Sequence, residues 1–167
     1  MPGKAGSQAL LLLACLVSNA QRTGSTSLLL QINPEARIDP QQVALNFRVS
    51  ADGASDVTTQ AANVTAWVRA LRGQQIRVTA QLASPNGPNG PVSAAVRWSG
   101  STTRATAGAR AATCSSGTLQ SSAAGDLVLG WQESGILTCA INFDLVSPRS
   151  LPPGLYSGTV QLTVTAR

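Results

Sequence analysis

The chain has 167 residues, 43% hydrophobic and only 11% charged, with a formal net charge of +5 and no histidine. Without histidine the usual proton carrier of a neutral-pH enzyme is missing. Three cysteines and no histidine also leave a zinc-type site short of ligands.

The first twenty residues read as a secretory signal peptide, residues 1–20. Lys4 supplies the positive start, Ala9 to Val17 the apolar run, and Ser18-Asn19-Ala20 the small residues before a cut ahead of Gln21. No later stretch approaches the roughly 20 apolar residues that a membrane helix needs. About 147 residues then remain, a one-domain length. They hold no Lys, no Met and two cysteines, Cys114 and Cys139. An even pair in an exported chain reads as one disulfide, because free thiols do not suit an oxidising compartment.

Alternation of apolar and polar residues governs the rest. Gln21 to Thr26 is a small-residue lead into Ser27–Ile32, where Leu28, Leu30 and Ile32 share a face, and Asn33-Pro34 ends that run. Val43, Leu45, Phe47 and Val49 form the next set, against Asn46, Arg48 and Ser50. Asn63 to Leu71 is mixed and contains Trp67; Ile76, Val78, Ala80 and Leu82 alternate cleanly. Arg72-Gly73-Gln74 between these two runs predicts a hairpin. Ser84 to Pro91 (SPNGPNGP) predicts a loop that no strand continues through. Val92, Ala94, Val96 and Trp98 alternate again, whereas Ser99 to Gly125 has no sustained period and predicts a long surface excursion, with room for one short strand, anchored by Cys114.

Leu127 to Trp131 reads as a short strand, followed by Leu137, Cys139, Ile141, Phe143 and Leu145 on one face of a long one. Pro148, Pro152 and Pro153 interrupt the chain. The last seventeen residues, Leu151 to Arg167, place Tyr156, Gly158, Val160, Leu162, Val164 and Ala166 on one side and polar residues on the other. What covers the edge and the apolar side of that strand is an open question at this point. Alternating runs with short turn signals and no helical period predict an all-β, antiparallel β-sandwich of about seven or eight strands.

Past the leader, eleven arginines oppose seven carboxylates, an excess of 11 − 7 = +4 that favours anionic partners such as acidic polysaccharide over nucleic acid. Arg48, Arg77 and Arg97 fall on polar strand faces, where charge discourages edge pairing. Aromatics are too scattered for base stacking. Lack of lysine excludes a Ser-Lys pair, and a disulfide removes the free thiol nucleophile. The carboxylate pairs Asp126 with Glu133 and Glu35 with Asp39 read as turn and solvent-facing groups, so no enzyme activity and no cofactor is expected. Asn63-Val64-Thr65 matches a glycosylation sequon inside a predicted strand and reads as an ordinary polar face.

Several patches together resemble the subunits of bacterial chaperone–usher fimbriae, of the alpha-fimbrial, colonisation-factor type. They are Ile32-Asn33-Pro34, the run NVTAWVRALRGQQIRVTAQLASP, Trp98-Ser99-Gly100, and the closing Gly154-Leu155-Tyr156-Ser157-Gly158 with its final strand. The late cysteine pair departs from that pattern. The resemblance implies residues 21–34 as an N-terminal extension and donor strand, and 35–167 as an immunoglobulin-like β-sandwich lacking its last strand. Leu28, Leu30 and Ile32 would enter the groove of the next subunit, lined by Tyr156, Val160, Leu162 and Val164, by β-strand addition.

Head-to-tail addition of this kind builds a fibre, not a closed ring. Implied partners are identical or related subunits, a periplasmic chaperone and an usher, with a glycan or host-surface receptor if the fibre is adhesive. The implied route runs through the periplasm to the cell surface. The alternative is a self-contained secreted immunoglobulin-like module for glycan or protein, in which Ser27–Ile32 completes its own sandwich. Glycan binders display outward aromatics; Trp98, Trp131 and Tyr156 fall on core faces and Trp67 on neither clearly, which favours the fibre.

Overall fold

A computed structural model describes residues 34–51, 60–121 and 123–167. The signal peptide, the extension and the donor residues Leu28, Leu30 and Ile32 lie outside the described residues. Twelve strands occur in chain order. The first six are β1 (Glu35–Asp39), β2 (Gln42–Val49), β3 (Gln60–Arg69), β4 (Ile76–Gly87), β5 (Gly90–Pro91) and β6 (Val96–Ala105). A single 3-10 turn (Ala107–Ala109) then leads to β7 (Thr113–Cys114), β8 (Ser116–Leu119), β9 (Gly125–Asp126) and β10 (Val128–Leu129). The last two strands are the long ones, β11 (Gly135–Leu145) and β12 (Gly154–Ala166). No α-helix occurs among the described residues.

The strands form a β-sandwich whose pairings are all antiparallel, as the alternation requires. One sheet runs β1-β3-β11-β6-β8 and the other β2-β12-β4-β5, with β9 also on β4. Every second residue of the long strands enters the space between them. Leu137, Cys139, Ile141, Phe143 and Leu145 come from β11, Ile76, Val78, Ala80 and Leu82 from β4, and Leu45, Phe47 and Val49 from β2; all are buried. The opposite residues stay wet, including Arg48, Arg77 and Arg97.

Three local expectations are corrected. Arg72-Gly73-Gln74 does not close a hairpin, because β3 and β4 lie in different sheets. It is an arch between them, with Gly73 at φ +88°, Gln74 N–H donating to Leu71 C=O, and Leu71 N–H to the Gln74 side chain. Alternation cannot distinguish an arch from a hairpin, since both join two strands by a short turn.

Ser84 to Pro91 is not a loop throughout. β4 continues to Gly87 and turns back at Pro88-Asn89 into β5, pairing Gly87 with Gly90. Ser84 takes φ +50° where the register opposite Ser157–Thr159 slips. Such a bulge is where a strand tolerates a proline, here Pro85.

Ser99 to Gly125 is only partly an excursion, since Ser99–Ala105 belongs to β6 and pairs with β11. Its threonines suit a strand, but both sides carry polar residues, which erases the periodic signal. The chain then crosses from β8, on one sheet, to β9, on the other. Gly117 lets β8 pair beside the buried Trp98, since a Cβ there would collide with the Trp98 ring.

Candidate functional site

The candidate site is the edge of β12, the longest strand among the described residues. Tyr156, near its start, is buried and donates its hydroxyl proton to Pro152 C=O at 2.7 Å. A tyrosine at the start of a strand, bonded back to the chain a few residues upstream, marks the sixth strand, F, of an immunoglobulin sandwich. Sheet order agrees independently: β1-β3-β11-β6 follows A-B-E-D, and β4 beside β12 follows C-F. Where the seventh strand, G, would pair with F, the structure instead has β2, running antiparallel to β12 from Val49↔Gly154 to Gln42↔Gln161. It reaches that sheet because the first strand divides: β1 stays on β3, and the chain changes sheet across the cis Asp39–Pro40 bond.

The two edges of β12 are unequally covered. On one side β4 pairs with it to Ala166, and Arg167 continues the ladder to Gln75. On the other, the last described bond runs from Leu162 N–H to Gln41 C=O at 2.8 Å. In an antiparallel ladder alternate residues direct their backbone groups to the same edge. Val164 and Ala166 therefore face that side, and no strand among the described residues pairs with them there.

The predicted groove residues sit together on β12, but mostly inside the core. Tyr156, Val160 and Leu162 are buried, and Val164 is half-buried against the core. Phe47 stands opposite Tyr156 in register, and Val43 opposite Val160. Sequence reasoning missed that β2 would lie beside the last strand.

Across the molecule the cysteines join as expected, Cys114 to Cys139, with Cα atoms 5.9 Å apart. Asp126 is engaged by Arg77 through two hydrogen bonds, at 2.6 and 2.8 Å. The Arg77 side chain holds the Asp126 carboxyl below its ordinary pKa, and the carboxylate raises that of the guanidinium. Glu35 and Asp39 both lie exposed on β1, and Asn63 of the sequon is exposed on β3. Among the described residues no cluster of three or more histidine, cysteine, aspartate or glutamate side chains is placed to hold a metal. Nor is any helix there long and apolar enough to cross a membrane.

Trp67 settles outward. Val64, Ala66 and Val68 of β3 are buried, so parity puts Trp67 on the outer face, where it is 36% exposed. It pairs in register with Arg37 on β1 and Ile136 on β11, and the Arg37 guanidinium lies 5.6 Å from the ring centroid. The parity of the three apolar neighbours was the signal for this orientation.

No protein-family model, curated protein or solved structure significantly matches the chain.

Proposed function

We propose that this protein is a structural subunit of an exported fibre that assembles head-to-tail by strand addition along β12. The observation that carries this reading is the edge of β12 beyond Leu162, opposite β4, which no strand among the described residues covers. An added strand would run along Leu162–Ala166, and invade further by displacing β2 from Gly154–Gln161. Its backbone would complete the ladder, and its alternate side chains would meet the half-buried Val164 and Ala166. The alternating knobs Leu28, Leu30 and Ile32 of another copy suit that role, with a periplasmic chaperone and usher as the implied assembly partners.

A second reading, the self-contained secreted module, is favoured by one specific observation. β2 already forms eight residue pairs with β12, so most of that edge is closed within one chain.

The experiment is to isolate the exported protein and run it unheated in detergent. Fibre assembly predicts a ladder of multimers that collapses on heating, and its loss in Leu30→Arg with the sandwich still folded by circular dichroism. A monomer at every concentration, or a Leu30→Arg variant that still polymerises, would favour the second reading.

A further inference from the structure

The outer face of the first sheet carries a concavity of about 570 Å³ that the strand-addition reading does not use. Glu35, Arg37, Trp67, Arg69, Thr106 and Ser134 contribute to its lining. Register explains the grouping. Glu35 pairs with Arg69 and Arg37 with Trp67, so two rows of β1 and β3 put four such side chains on one patch. The opposite wall is where the turn at Ala107–Ala109 presses against the start of β11. Gly108 permits that approach, since a Cβ there would collide with the Ser134 carbonyl oxygen. Thr106 and Ser134 are fixed by backbone bonds, to Ile136 N–H and to Ala70 respectively.

We propose that this concavity is a binding site for a carboxylate-bearing pyranose, a uronic or sialic sugar. The indole of Trp67 offers an electron-rich face to the C–H side of a sugar ring. The Arg37 guanidinium lies 5.6 Å from the Trp67 ring centroid, so cation and indole border the same hollow, and its N–H donors suit a carboxylate held there. Arg69 is the second cation, opposite Glu35 in register. Arginine's planar fork matches a carboxylate in two-point contact. Glu35 supplies an acceptor for sugar hydroxyls. The arginine excess of the whole chain attracts the same class of ligand.

The proposal does not depend on fibre assembly, and its test leaves oligomeric state aside. The full chain is titrated with tetragalacturonate and with sialyllactose, following tryptophan fluorescence. Fully methyl-esterified tetragalacturonate and lactose serve as the uncharged counterparts. Trp67 is the half-exposed indole, whereas Trp98 and Trp131 are buried, so the signal reports on this site. The expected result is saturable binding of at least one acidic probe, and the pair of probes tells uronic from sialic recognition.

Trp67→Ala, which removes the reporter and is therefore followed by titration calorimetry, should weaken that binding by about tenfold or more, and Arg37→Gln and Arg69→Gln should each weaken it several-fold. Arg149→Gln, on the turn after β11, should leave it unchanged. Because Arg69 is exposed, its variant retains the fold even if Trp67→Ala does not. Equal binding of esterified and free tetragalacturonate, no binding of either acidic probe, or undiminished binding by Arg69→Gln would overturn the proposal.

Discussion

The two lateral seams of the sandwich are closed by different means. On one side the chain passes from β8 to β9, and every kind of fastening is present there. A disulfide ties Cys114 to β11, Arg77 grips Asp126, Ser115 Oγ donates to Asp126 C=O, and backbone bonds join Gly100 to Ser115 and Leu127 to Val78. On the other side one segment, β1 and β2, bridges the sheets mainly with ladder bonds and buried side chains. No disulfide or ion pair among the described residues spans it. A seam held by non-covalent contacts can trade one strand for another; a covalently stapled one cannot. On the proposed reading strand addition belongs at the β1–β2 seam, and the stapled seam carries stability.

The largest way to break this comparison is Phe47→Ala, which removes a fully packed side chain from β2 opposite Tyr156. Loss of a buried phenylalanine costs about 3–5 kcal/mol. A urea titration of the exported chain should show it as a lower midpoint. If an added strand replaces β2, assembled protein should suffer much less than monomer; equal losses in both would mean that β2 stays in place.

Opening the other seam comes next in size. Cys114 and Cys139 are separated by 25 positions, and by the loop-entropy model closing such a loop stabilises a fold by roughly 3–4 kcal/mol. Reduction, or the double Cys114→Ala, Cys139→Ala variant, should lower the urea midpoint accordingly while leaving the capacity to polymerise. A reduced protein that keeps its stability would contradict the division of labour between the seams.

How far these features were legible in the sequence follows from their range. Period-two faces are local, so the core residues of β2, β4, β11 and β12 and the sandwich itself could be read directly. The pairing of cysteines needed only their number. Which strands lie side by side depends on contacts far apart in sequence, and that is where reading failed. β3 and β4 look like a hairpin but belong to different sheets. β12 looks uncovered, but β2 lies beside it. The bulge at Ser84 rescues a strand that prolines argue against, and the polar half of β6 hides because neither face is dry. In the candidate sugar site, Arg37 drew no attention because only the β1–β3 register brings it to Trp67, whereas Arg69 shares the face of Trp67 by strand parity.

The smallest expected effect concerns the exposed ion pair of the stapled seam. Asp126 has a depressed pKa because Arg77 hydrogen-bonds its charged form, with partial burial opposing. A carboxylate whose folded pKa lies below its unfolded value stabilises the fold fully above that unfolded value, near about 4, and loses the contribution as pH falls through the folded one. The wild type should therefore exceed Asp126→Asn in urea midpoint at pH 7, and the gap should close as the pH drops below about 4. Because the pair is solvent-exposed, the gap should also narrow at high salt. No gap at pH 7, or a gap that does not close in acid, would mean that the Arg77–Asp126 charge pair adds nothing to the seam, since the Ser115 bond to the Asp126 backbone carbonyl is kept in both proteins.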